Sequence, residues 1–180
     1  MNIRAFEQHH PKLGSRIFID PTALLIGQVE IGDDSSVWPM AVIRGDVHSI
    51  KVGERTSVQD GCILHVTHAG PYNVKGHDLN VGNDVTIGHK AIIHGCEIED
   101  RCLIGMGAII MDNAIVQSDV ILGAGSLVPP NRKLEGGFLW VGSPAKKIRA
   151  LTDKEKDYLK YSASNYVSLK DRHLAMPNLK

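Results

Sequence analysis

Three histidines have a spacing that metal ligands can adopt: His65 in Leu64-His65-Val66, and His89 and His94 at the two ends of His89-Lys90-Ala91-Ile92-Ile93-His94. Neutral imidazole binds zinc and its first-row neighbours, and three of them leave at least one position open on the ion. Whether the three can meet depends on how the intervening chain is wound. The elements that carry them therefore have to be read first.

Aliphatic residues recur every six positions through Ile19, Leu25, Ile31, Val37, Ile43, then Val52, Val58, Leu64, then Val81, Ile87, Ile93, then Ile98, Ile104, Ile110, Val116, Leu122 and Val128. Four places after most of them stands a small or β-branched residue, as at Val29, Ser35, Ala41, Val47, Thr56, Cys62, Val85, Ala91, Cys102, Ala108, Ala114, Val120 and Ser126. Both sets are expected to point inward. A helix needs a period of 3.6 and a simple strand a period of two, so a sustained six fits neither. It is the mark of a hexapeptide parallel β-helix, in which each hexapeptide forms a short strand and a corner and three make one triangular coil. Successive coils stack about 4.8 Å apart. A sandwich of short strands would require turn signals every 8 to 12 residues and would not hold this period.

The period breaks three times: three extra residues lie between Ile43 and Val52, eleven form the loop Gly70 to Asn80, and one is missing between Ile93 and Ile98. It stops after Val128, at Pro129-Pro130-Asn131. Thr152-Asp153-Lys154-Glu155 then reads as a capping box opening a helix, with Leu159, Ser162, Ala163, Tyr166 and Leu169 on one face as far as about His173. The chain divides into a β-helix over 1–150 and a C-terminal α-helical segment over 151–180 that packs along the coil.

If the insertions stay at corners, Ile43, Leu64, Ile93 and Ile110 fall on one face in successive coils. The next residues, Arg44, His65, His94 and Met111, then form an outward column, with His65 and His94 close enough to share an ion. His89 follows Ile87 by two places on another face, above Asp60, and points away from that pair. One chain cannot readily close the three-histidine site, whereas a symmetric ring can bring the His89 edge of one subunit to the His65/His94 face of the next. The winding predicts a metal at a subunit interface, and a triangular coil suggests a homotrimer. Trp38, Met106 and Met111 lie on outward columns expected at that interface. Cys62 and Cys102 fit inward positions, Cys96 a corner beside the site. His68 fits a small inward position, and His9, His10, His48, His77 and His173 read as solvated.

Composition narrows the function classes. The 180 residues carry equal numbers of basic and acidic side chains, for a net charge of zero, and show no basic cluster. Nucleic-acid binding is not expected. Neither a signal sequence nor a run of eighteen apolar residues is found, so a cytoplasmic protein without a membrane partner is expected. Three cysteines without Cys-x-x-Cys spacing indicate no disulfide framework and no thiolate zinc site.

Arg44-Gly45-Asp46, Ser57-Val58-Gln59-Asp60-Gly61, Leu64-His65, and Gly88-His89 with His94-Gly95 together resemble the γ-class carbonic anhydrase family, in particular its compact bacterial branch. The likeness runs from about Ile19 to Val128 and on through Gly142-Ser143-Pro144-Ala145. It implies an all-β solenoid that is a left-handed parallel β-helix, a homotrimer, and a metal held by His65 and His94 of one subunit and His89 of the next. Zinc is the implied cofactor, with iron(II) or cobalt as alternatives for such a donor set. Arg44 and Asp46 are implied to support the interface through pairing with acidic residues such as Asp60, and Gln59 to hydrogen-bond the metal's water.

The implied chemistry is carbonic anhydrase-like: the metal lowers the pKa of its water to about 7, and the resulting hydroxide attacks carbon dioxide to give bicarbonate. The sequence departs from the family pattern where Val47 replaces an active-site glutamate and the Gly70 to Asn80 loop lacks a shuttle glutamate. His68, His77 and Asp78 are the available substitutes, and turnover is expected to be slow or latent. Two other readings stand beside it: an acyl-CoA thioesterase or acyltransferase of the hexapeptide class, and a metal-retaining binding or assembly protein without turnover.

Overall fold

Strands, most of two or three residues but running on through Leu24–Ile31 and Val42–Val52, form where the six-residue series brings an aliphatic side chain inward, and the intervening residues turn the corner. The computed structural model describes residues 2–176. Parallel pairing stacks these strands into three flat faces, and the whole is a left-handed parallel β-helix of hexapeptide repeats with one C-terminal helix. The regular offset between stacked residues is 18 positions, as in Ile19 on Val37 and Leu25 on Ile43.

The first face, here the histidine face, stacks Val42-Ile43 on Ile63-Leu64, Ile63–His65 on Ile92–His94, and Ile92-Ile93 on Ile109-Ile110. A second face stacks Lys51 on Asn80, Asn80 on Glu97, and Glu97 on Ile115, and its outward side is polar. The third stacks Phe18 on Ser36, Ser36 on Ser57, Ser57 on Thr86, and Thr86 on Leu103. The C-terminal helix lies on this third face, against the strands at Phe18, Ser36 and Thr86.

Inside, one continuous core runs the length of the coil. Leu25, Ile43, Leu64, Ile87, Ile93, Ile104, Ile110 and Leu122 are fully buried, and the small residues Ala41, Cys62, Ala91, Cys102, Ala108 and Ala114 fill the corners between them. A triangular prism of this width has room at its corners for little more than a methyl or thiol group, which explains the small residue four places on. The coils also approach closely at the glycines: a Cβ on Gly105 would lie 2.4 Å from the backbone nitrogen of Ala124.

Several expectations need correction. Val47 is exposed, because the three-residue insertion bulges outward there and Ile50 takes the inward place instead. The coil does not stop at Val128: Leu134 and Trp140 keep the six-residue period across Pro129-Pro130, are buried, and sit on strands stacked on Val116 and Leu122. It also begins before Ile19, with Ile3 stacked on Leu25 and Leu13 on Ile31. Trp38 is not on an open face. It is buried beneath the C-terminal helix among Phe18, Tyr166 and His173, its indole nitrogen donating to the hydroxyls of Ser36 and Ser57 at 3.0 Å each.

The helix spans Asp153–Ala175 and opens with the expected capping box, Thr152 and Glu155 bonding reciprocally. Its buried face carries Leu159, Ser162, Ala163 and, unexpectedly, Lys170. Among the described residues no helix is long and apolar enough to cross a membrane.

Candidate metal centre

His65 and His94 end equivalent strands on adjacent coils and pair directly in register. Their side chains leave the histidine face together, with ring centroids 5.1 Å apart and His65 Nδ1 facing His94 Nε2 at 3.1 Å. Two ligand nitrogens on a tetrahedral ion with bonds of 2.0–2.1 Å stand about 3.3 Å apart, so this spacing suits a shared cation.

The other nitrogen of each ring is committed to a carboxylate. His65 Nε2 bonds Asp46 Oδ1 at 3.1 Å, and His94 Nδ1 bonds Asp112 Oδ1 at 2.6 Å. A carboxylate accepts only, so each pair fixes the N–H on the outer nitrogen and leaves the inner nitrogen with its lone pair. The two lone pairs then face a common point, where a cation would fit between them. Burial, aided by Arg44 and His94, holds the His65 imidazole below its usual pKa against the opposing pull of Asp46, which favours the neutral ligand form. Burial would raise the Asp46 carboxyl, but hydrogen bonds from Arg44 and His65 outweigh it and keep Asp46 below the usual carboxylate range.

Arg44 anchors this set by donating to Asp46 Oδ2 at 2.5 Å. Within the chain it therefore pairs with Asp46 and not with Asp60. Asp60 is held by His89 Nδ1 at 2.7 Å on the corner between the helix-bearing and histidine faces, which leaves His89 Nε2 free of that carboxylate. Gln59 is only 4% exposed, and its Oε1 accepts from the His89 backbone N–H at 3.1 Å. In this chain it steadies the His89 corner. Among the described residues no three metal-ligating side chains of one chain converge.

The three substitutes for the missing glutamates are placed differently. His68 is exposed, not inward, because the chain leaves the coil after Val66 to form the loop. Asp78 is engaged by Asn80 Nδ2 at 2.9 Å. His77 pairs its backbone with Thr67 and packs at the corner of Gly95. Cys96 belongs to the buried core.

Asp112 was not among the sequence-derived candidates. It stands above Gly95, one coil on from His94, where a Cβ on residue 95, whose φ is +49°, would lie 2.5 Å from Asp112 Oδ1.

No family model matches the chain. It is 52% identical over 176 residues to Protein YrdA of Escherichia coli K12, covering 98% of this chain and 96% of that one. It is 42% identical over 165 residues to Gamma carbonic anhydrase 2, mitochondrial, of Arabidopsis thaliana, covering 91% of this chain and 58% of the plant protein. A Probable carbonic anhydrase of Methanocaldococcus jannaschii is 40% identical over 159 residues, 88% of this chain and 96% of that one. Among solved structures, a putative acetyltransferase of Bacillus cereus superposes with a TM-score of 0.89 at 37% identity, covering 96% of this chain and 98% of that chain.

Proposed function

Because this chain belongs to the γ-carbonic anhydrase-like family of hexapeptide-repeat proteins, we propose that it is a metal-dependent enzyme of carbonic anhydrase type, converting carbon dioxide and water to bicarbonate at a site shared between subunits of a homotrimer. The observation that carries this reading is the facing pair of His65 Nδ1 and His94 Nε2, 3.1 Å apart, with both outer nitrogens held by carboxylates. His89 of the partner subunit would complete the donor set. Its Nδ1 is likewise held by a carboxylate, so its Nε2 is offered as a neutral ligand. Zinc suits three imidazoles, and iron(II) or cobalt would be accepted by the same donors.

When bound, such a cation supplies Lewis acidity that makes water nucleophilic near neutral pH. The chain's residues supply the rest. Asp46, Asp60 and Asp112 each keep the proton of one imidazole on its outer nitrogen, so that no ligand nitrogen has to lose a proton to bind. Arg44 holds Asp46 at the histidine-face end of this set, and Gln59 fixes the His89 backbone. Val47, solvent-exposed on the outward bulge, supplies no carboxylate for proton transfer, consistent with slow turnover. The protein is expected in the cytoplasm.

A second reading, acyl-thioester chemistry, has one observation in its favour. A groove of about 360 Å³ between the helix and the coil opens beside His89 and is lined by Leu103, Met106, Leu122, Tyr158 and Tyr166. Hydrolysis of acetyl-CoA faster than hydration of carbon dioxide would favour it.

The test of the shared centre is metal content and solution mass for the wild type and His89→Ala. One metal per subunit in a trimer, lost from His89→Ala while the mass stays trimeric, is the expected result, followed by stopped-flow carbon dioxide hydration. Unchanged metal content in His89→Ala would show that the site is not shared in this way.

A further inference from the structure

We propose that Asp112 is a positioning residue for the metal centre, holding His94 in the tautomer and direction needed for binding and tying that ligand to the base of the neighbouring loop. This rests on the metal-centre reading above and adds to it a residue outside the Arg44, Asp46, Asp60 and Gln59 set.

Three independent features converge on Asp112. Its Oδ1 accepts a hydrogen bond from His94 Nδ1–H at 2.6 Å, the shortest of the three imidazole–carboxylate bonds, beside 2.7 Å for His89–Asp60 and 3.1 Å for His65–Asp46. Its Oδ2 accepts from Thr67 Oγ1 at 2.9 Å, so both oxygens are used and the carboxylate cannot swing away without losing a second bond. Glycine at residue 95 leaves room for it, since a Cβ there would lie 2.5 Å from Oδ1. A surface ion pair of opportunity needs neither the second tether nor the vacated corner. With side chains about one-third exposed, His94 at 35% and Asp112 at 33%, the pair is partly shielded from water and a hydrogen bond to charge keeps its directional value.

Thr67 gives the contact a longer reach. Its backbone pairs with His77 across the loop, through Thr67 N–H to His77 O at 3.0 Å and His77 N–H to Thr67 O at 2.9 Å. The path from loop base to ligand is therefore Thr67, Asp112, His94. A carboxylate bound to the outer nitrogen of a metal-ligating imidazole raises its basicity and fixes its ring, and loss of such a partner weakens metal affinity by 10- to 100-fold.

The experiment is a chelator-competition titration with zinc, together with the visible spectrum of the cobalt(II) form, on the full-length wild type, Asp112→Ala, Asp112→Asn, Thr67→Val and His94→Ala. Solution mass is recorded for each. Asp112→Ala should bind zinc about 10- to 100-fold more weakly with an altered cobalt spectrum. Asp112→Asn, whose amide oxygen still accepts from Nδ1–H, should recover most of the affinity and the spectrum, a rescue that a merely structural role would not produce. Thr67→Val should fall between the wild type and Asp112→Ala. Wild-type affinity and spectrum in Asp112→Ala or, should that variant not fold, in Thr67→Val, while His94→Ala loses the metal, would overturn the proposal and leave the metal centre standing. If the wild type takes up no metal, or His94→Ala keeps it, the metal centre itself is overturned.

Discussion

At the scale of single residues, the site is a set of histidines whose proton positions are dictated from outside by carboxylates. Burial, in contrast, governs the cysteines and makes them inert. Burial pushes the Cys62 thiol up to about 11 and the Cys102 thiol up to about 12, and drives Cys96 upward as well. Since the thiolate is the reactive form, an aromatic disulfide reagent at pH 8 should label none of the three in the native protein and all three in denaturant. Rapid labelling of Cys96 in the native state would show that the corner beside His94 opens. The histidine pairing was legible in the sequence, because a fixed six-residue period turns position into direction. Asp112 was not, because following the aliphatic column leads from His94 to Met111, and the carboxylate reaches the ring sideways across Gly95.

At the scale of elements, the C-terminal helix is fastened to the first coils by a buried charge. Lys170 is 0% exposed and meets Asp34 Oδ1 at 3.1 Å, while Asp34 is also gripped by Arg16, and Asp171 pairs with the same ammonium. Arg16's hydrogen bond, opposed by burial and helped by Lys170, lowers the Asp34 carboxyl to about 2. A carboxyl depressed on folding stabilises fully above its unfolded pKa of about 4 and loses that contribution as pH falls towards 2. Asp34→Asn should therefore be less stable than the wild type at pH 6 in thermal melts, with the difference shrinking from about pH 4 downward. A difference that stays constant to pH 2 would contradict this assignment. The helix itself was readable from its capping box and apolar spacing. Neither the burial of Lys170 nor that of Trp38 was, since each depends on which coil face the helix covers and no local pattern encodes that choice.

At the scale of the whole molecule, the coil leaves an apolar ridge on the histidine face, with Ile63 45% exposed, Ile92 38%, Ile109 37% and Met111 39% beside the ligand column. Large exposed aliphatics in a row mark an association surface. In the proposed trimer, a charge there would be buried without a partner. Ile92→Glu should shift the solution mass from trimer to monomer and release the metal with it, as read by light scattering and metal analysis. A trimeric Ile92→Glu would place the subunit contact elsewhere. Solenoid, faces and core followed from periodicity alone. The extra coil past Val128 did not, because Pro129-Pro130 imitates a stop while the period continues beneath it to Leu134 and Trp140.

The register carries one more consequence, for how such a chain can change length over evolutionary time. Stacked residues are 18 positions apart where the coils are regular, as in Leu103 on Ile121, yet Val58 stacks on Ile87 with the whole Gly70 to Asn80 excursion between them, and the coils above and below remain in step. Length changes are thus absorbed at corners, by three residues at the Val47 bulge and by eleven in the Gly70 to Asn80 loop, whereas within a face a single added residue would turn every later inward side chain outward. Gains and losses should be confined to corner loops or to complete turns, and the corner that has accepted the longest insertion is the one beside the histidines. The surroundings of the histidines can then be reshaped by lengthening or shortening that loop, while the histidines and the core that aims them stay as they are.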